Sequence, residues 1–221
     1  MGSGDDSLVG KFWKPARPRK RRRQTRRDQW RSRVKWYGLP VLGLVIGTWA
    51  TLRFSLLAPD PPVNPEDLCE IFREHTVWYD YASNSQKRWG TPIATQMAFV
   101  YYESSFRSHA QPPRTRLWGF IPWRRPTTAY GYAQALDPAW GEYLAANGDG
   151  LFTVRTDMEY ALDFVGWYNH LTHRELDIAF HKPRELYLAY HEGRGGYARK
   201  SFTRKPAVTA LAAKVQNRAF R

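Results

Sequence analysis

Cysteine is almost missing: Cys69 stands alone in 221 residues, which excludes an internal disulfide. No lipid-attachment pattern surrounds it, so it reads as a small apolar helix residue. Apolar and polar residues nowhere alternate over a convincing length, so no strand of substance is expected, and no internal repeat occurs. Metal-ligand clusters are lacking too. His170 and His173 share a helix face without a third ligand, and His191-Glu192 is followed by Gly195 where a zinc metalloprotease needs its second histidine. Gly193 to Gly196 lacks the Lys-Ser/Thr ending of a phosphate loop, and Ser104 lacks the flanks of a nucleophile elbow. Neither a metal nor another cofactor is expected.

Acidic residues are scarce at one end. Residues 1–35 hold 13 Lys and Arg against 3 Asp, so +10 of the total +14 lies there and +4 in the remainder. With PRPRKRRRQTRR at its centre, this stretch reads as a disordered basic tail. Such a run can hold nucleic acid, but the apolar segment directly after it ranks that reading low. Trp36 to Leu52 is 17 residues without a charge, followed by Arg53 and FSLLA. That is the short end for a membrane span, but Arg53 can snorkel and extend it, so 36–57 reads as a single transmembrane helix. Trp36, Tyr37 and Trp49 suit interfacial positions, and the positive-inside rule puts the basic tail in the cytoplasm. The charged region is far longer than that of a signal peptide. A proline-rich linker, 58–64, then leads to a domain spanning 65–221.

What the domain has is helix punctuation and aromatics: ten Trp and thirteen Tyr in the chain. Asn64-Pro65 opens a helix to about Arg88, closed by Gly90. Thr91 and Pro92 open the next, with Ile93, Met97 and Val100 on one buried face. Asp137-Pro138 starts a third, ending at Asn147-Gly148, and Thr156 with Glu159 forms a capping box for a long fourth through about Arg174. Two more run from Pro183 to about Tyr190 and from Pro206 to about Phe220. The class is mainly α. Residues 108–129, with four prolines, form a connection too long to be neutral. Trp118, Phe120 and Trp123 there either wall a cleft on which sugar rings stack or pack the loop onto the domain.

Glu103 lies one turn beyond Phe99 and Val100, at the edge of the apolar face, where burial would raise its pKa and suit it to general acid catalysis. It also stands four residues before Arg107, the spacing of an ordinary surface ion pair. The helix alone leaves both readings open. Three segments then fall in one order: Glu103-Ser104 at a helix end, Gly131-Tyr132-Ala133-Gln134 before a helix, and Ala189-Tyr190-His191-Glu192-Gly193 at another helix end. Together they resemble the Glu-Ser, Gly-Leu-Met-Gln and Ala-Tyr-Asn-Ala-Gly motifs of the lytic transglycosylases of soluble-lytic-transglycosylase type, in the lysozyme-like superfamily.

That resemblance covers roughly 64–221 and implies a lysozyme-like helical domain, here behind a single N-terminal transmembrane helix. It implies Glu103 as the catalytic acid and base on the glycosidic bond between N-acetylmuramic acid and N-acetylglucosamine, yielding a 1,6-anhydro product. Gln134 matches a residue contacting the N-acetyl group, and Tyr190 a tyrosine whose hydroxyl approaches the catalytic carboxyl. Ser104 matches a motif position that contacts substrate or supports the helix end, and Tyr132 and His191, further substrate-binding candidates, stand where the family has Leu and Asn. His191 and Glu192 depart from the usual Asn and small residue, and Glu192 could serve as a second carboxylate. The implied partner is peptidoglycan glycan strands, and the implied place is the inner membrane with the domain in the periplasm. Two further readings remain open: a hydrolytic muramidase using Glu103, and a non-catalytic glycan-binding component of an envelope-spanning apparatus.

Overall fold

The computed structural model describes residues 39–56, 59–147 and 153–221. The expected basic tail, residues 36–38 and 57 of the expected span, and Gly148 lie outside them. The chain divides into two units, Met1–Phe54 and Ser55–Arg221. The first contributes most of α1, Leu39–Leu56. The transmembrane helix expected over 36–57 is not supported, because no helix among the described residues is long and apolar enough to cross a membrane.

The second unit is mainly helical. The single helix expected from Asn64 to Arg88 is two: α2 (Leu68–Glu74), capped by the Asp67 side chain on the Cys69 and Glu70 N–H groups, and α3 (Thr76–Trp89). His75 breaks them apart with a non-helical backbone, and its ring stacks on Trp78 at 4.0 Å. Gly90 closes α3 in the left-handed region, as glycine does without strain. Next comes α4 (Ile93–Ser104). Thr91 does not cap it. Its hydroxyl is buried without a partner, and the Gln86 side chain reaches across to accept the Ile93 N–H at 2.8 Å.

After a long connection come α5 (Asp137–Asn147) and α6 (Met158–Leu176), followed by α7 (Pro183–Glu192), α8 (Arg194–Ala198), a 3-10 turn (Ser201–Arg204) and α9 (Pro206–Ala219). The capping box expected of Thr156 is supplied one residue later, where Asp157 accepts the Glu159 N–H at 2.9 Å. Within the connection, β1 (Arg116–Leu117) and β2 (Ile121–Pro122) form a short antiparallel hairpin that the sequence pattern does not announce.

Packing of α3 on α6 forms one half of the core. Gly166 permits it: a Cβ there would meet the Ser85 Oγ at 2.4 Å, and that hydroxyl donates to the Leu162 carbonyl at 2.8 Å. In the other half α9 packs against α4 and α7. Trp78, Phe99, Tyr143, Phe164 and Tyr187 fill the middle, nearly inaccessible to water. Burial of aromatics on this scale supplies much of the hydrophobic drive for folding, at roughly 25 cal/mol per Å².

Candidate active site

Glu103 sits in the last turn of α4, and the chain turns sharply just beyond it. Ser105 and Phe106 both have positive φ, 52° and 58°, unusual for residues other than glycine. Phe106 is fully buried and stacks on Trp78 at 5.8 Å, which holds the strained turn in place. The Arg107 Nε donates to the Ser104 carbonyl at 3.0 Å. That bond engages Arg107 with the helix end rather than in the surface pair with Glu103 that the spacing allowed.

Glu103 borders a cavity of about 760 Å³, whose lining includes Arg107, His109, Arg125, Gln134 and, from the linker, Asp60. Desolvation pushes its pKa up from 4.5 to about 7, while a hydrogen bond with Tyr187 pulls in the opposite direction. Among the described residues no cation pairs with it to restore the ordinary value. Behind it stand rings: Phe99 meets Tyr187 edge-on at 5.0 Å and Tyr190 at 5.3 Å. Burial raises both tyrosines well above their usual range, so both hydroxyls stay protonated as donors.

The structure brings Gln134 to the same cavity as Glu103. Its backbone is left-handed, φ 48°, and its side-chain N–H groups donate to the Ala110 and Gly131 carbonyls, each at 2.8 Å. That use of the amide nitrogen leaves its carbonyl oxygen as the end offered to a ligand. The turn needs Gly131, where φ is 80° and a Cβ would fall 2.1 Å from the Arg155 carbonyl oxygen. Arg155 pins the following stretch by donating to the Thr128 and Ala135 carbonyls and to Asp137 at 2.6 Å.

Tyr190 donates to the Ala133 carbonyl at 2.6 Å, tying α7 to the Gln134 turn. Glu103 lies close enough to raise the Tyr190 pKa further, and its own hydrogen-bonding partner is Tyr187, one turn earlier on α7. Ser104 is buried and donates back to the Val100 carbonyl at 3.0 Å, a contact internal to the helix. Tyr132 is fully buried, its pKa raised to about 12 by burial; its hydroxyl has no partner in good hydrogen-bonding geometry, although Ser108 is near enough to lower that value. His191 is partly exposed beside Glu192, 3.3 Å away, and neither lines the cavity.

Burial alone would raise the pKa of Glu192, but hydrogen bonds from Ser201, Lys205 and His191 outweigh it and hold the carboxyl below its usual range. Lys205 grips both oxygens, at 2.9 and 3.0 Å. Glu192 is therefore a charged brace between α7 and α9, not a second acid facing Glu103. The second carboxylate bordering the cavity is Asp60, from the proline-rich linker. Sequence reasoning missed it because a Pro-Asp-Pro-Pro run reads as a spacer. It also missed Tyr187, although its i, i+3 spacing from Tyr190 places both on one helical face.

A half-buried carboxyl of raised pKa at the wall of a large cavity, backed by tyrosines and faced by an amide, is suited to general acid catalysis. The family described as Transglycosylase SLT domain matches residues 41–221, and the chain belongs to it. Membership supports a lytic-transglycosylase-type function acting on peptidoglycan, and the mainly helical fold is consistent with a lysozyme-like domain. No curated protein and no solved structure matches the chain.

Proposed function

We propose that the protein is a peptidoglycan lytic transglycosylase in which Glu103 is both general acid and general base. The observation that carries this is the Glu103 carboxyl at the cavity wall with a pKa near 7. In its protonated form it gives a proton to the glycosidic oxygen as the bond from the muramyl anomeric carbon to that oxygen breaks. The resulting carboxylate takes the proton of the muramyl C6 hydroxyl, whose oxygen closes on the anomeric carbon. The acid is regenerated, no water is consumed, and the product is a 1,6-anhydro sugar. The nucleophile is tethered within the substrate, so proximity does the work that a second carboxylate does in hydrolases. Gln134 offers its carbonyl oxygen to an N-acetyl N–H, and Tyr187 orients the carboxyl.

A second reading has one observation in its favour. Asp60 borders the same cavity, and a base there could activate water and make the enzyme a muramidase. Mass spectrometry of products released from purified peptidoglycan separates the two, because only hydrolysis adds water. Anhydromuramyl products that vanish with Glu103→Gln support the transglycosylase, and reducing-end products that vanish with Asp60→Asn support the hydrolase. Glycan binding without cleavage by the native chain would overturn both and favour a scaffolding role. Because peptidoglycan lies outside the inner membrane, the proposal includes a periplasmic domain, a cytoplasmic N-terminus and attachment through residues 36–57. Digestion of the domain by protease added to spheroplasts, with the tail protected, is the expected result.

A further inference from the structure

The hairpin of β1 and β2 is the part of the domain that the chemistry at Glu103 does not use. Its tip, LWGFIPW from Leu117 to Trp123, offers no hydrogen-bonding side chain apart from the two indoles. Trp118 is 77% exposed, Phe120 70% and Trp123 50%. Trp118 moreover holds a left-handed backbone, φ 51°, in which a bulky residue is strained. Strain spent on pointing an indole into water is no device for packing the loop onto the domain.

Below the tip lies a collar of exposed arginines, Arg114 and Arg116 on one side and Arg124 on the other, with Arg125, which lines the Glu103 cavity, beyond it. Arg114 and Arg125 donate to the backbone carbonyls of Trp123 and Pro112. No Asp or Glu occurs between Ser108 and Leu136 to neutralise them. Thr115 and Arg124 close the hairpin's base through the Trp123 and Thr115 N–H groups, at 2.7 and 2.9 Å, so collar and tip are held on one short ribbon. At about 3.4 Å per residue the tip stands roughly 7–10 Å above the collar, the depth to which an interfacial segment buries its apolar side while arginines stay at the phosphates.

We propose that this hairpin is a wedge that docks the domain onto an anionic lipid surface, with Trp118 and Phe120 entering the acyl boundary and the arginines contacting headgroup phosphates. The residues favour lipid over glycan: a sugar platform pairs aromatic faces with side chains that bond hydroxyls, and this tip has nearly none. A further strand is also disfavoured, since Pro122 removes a donor from β2.

The test reads the hairpin itself, so lipid contact elsewhere in the chain does not confuse it. In the full-length Cys69→Ser protein, Trp118→Cys carries an environment-sensitive fluorophore, and Ala145→Cys on α5 carries the same label as a reference. With vesicles containing phosphatidylglycerol, the label at 118 should shift to the blue and be quenched by acyl-brominated lipid, while the label at 145 should do neither. Adding Arg116→Glu with Arg124→Glu should abolish the shift. No shift at 118, an equal shift at 145, or a shift produced by peptidoglycan fragments and not by vesicles would overturn the wedge. None of these readouts depends on glycan cleavage.

Discussion

At the scale of single residues, the proposed mechanism turns on the proton of Glu103. Because the acid form must start the reaction, kcat/KM should fall as pH rises through about 7. A pH–rate profile on soluble glycan fragments measures this, and a rate that keeps climbing past pH 8 would contradict the role. Glu103→Gln should lower the rate by roughly 10²–10⁴-fold. The same substitution should stabilise the fold. A carboxyl whose pKa is raised on folding makes stability fall with pH between 4.5 and about 7, after which the penalty is complete. Removing it is worth at most about 3 kcal/mol at pH 8 and nothing at pH 4, so thermal melts of the variant and native protein should diverge only at the higher pH. Tyr187→Phe acts on the same proton. Its hydroxyl lowers the Glu103 pKa, so without it the basic limb of the profile should move to higher pH; a move downward would show that Tyr187 is not the bonding partner.

At the scale of elements, α7 and the Gly131 turn divide the positioning between them. Tyr187 meets the carboxyl, and Tyr190, one turn on, meets the Ala133 carbonyl. Tyr190→Phe should therefore leave the basic limb in place, while leaving Ala133 without its donor at a cost of about 1–3 kcal/mol, visible in the melting temperature. Gly131→Ala should be worse, since the added Cβ would lie 2.1 Å from a carbonyl oxygen at a φ of 80°; both melting temperature and kcat should drop. Much here was legible in sequence. The helix order follows from local chemistry of caps, prolines and apolar spacing, while Glu103 and the Gly131–Gln134 segment stand out through their resemblance to the family's motifs. What escaped depends on tertiary partners. The sequence signal at Thr91 is that of a cap, but only the folded chain brings Gln86 to the Ile93 N–H. Glu192 is a plausible second acid until Ser201 and Lys205 arrive from the next helices. The two strands of the hairpin are two residues each, too short for periodicity to register.

At the scale of the whole domain, the last helix fastens the segment that leads to the cavity. Arg218 stacks on Tyr101 at 3.5 Å, pairs with Glu66 at 2.9 Å and donates to the Pro65 carbonyl, while the Tyr101 hydroxyl meets Glu66 at 2.7 Å. Val63 and Asn64 are pinned to Glu74 and Glu70 of α2, at 3.0 and 2.7 Å. The strap so fixed carries Pro59, Asp60 and Pro61 along the cavity wall. Arg218→Ala should release it, because the stack and the fork-like bonds are lost together, whereas Arg218→Lys keeps the charge and still loses the stack. KM for glycan strands should rise with little change in kcat, and the melt should fall by an amount equivalent to about 1–3 kcal/mol, reduced by the solvent exposure of Glu66. The pH dependence gives the sign. The Tyr101 hydrogen bond first, and then Arg218, hold the Glu66 pKa below its usual range against some desolvation, so this pair contributes above the ordinary carboxylate pKa and fades as acid protonates Glu66. The native and Arg218→Ala melting temperatures should therefore lie farther apart at pH 7 than at pH 3, where only the Tyr101 stack and the Pro65 bond still separate them. A gap unchanged in acid would mean that the stacking on Tyr101, not the charge on Glu66, holds the strap down.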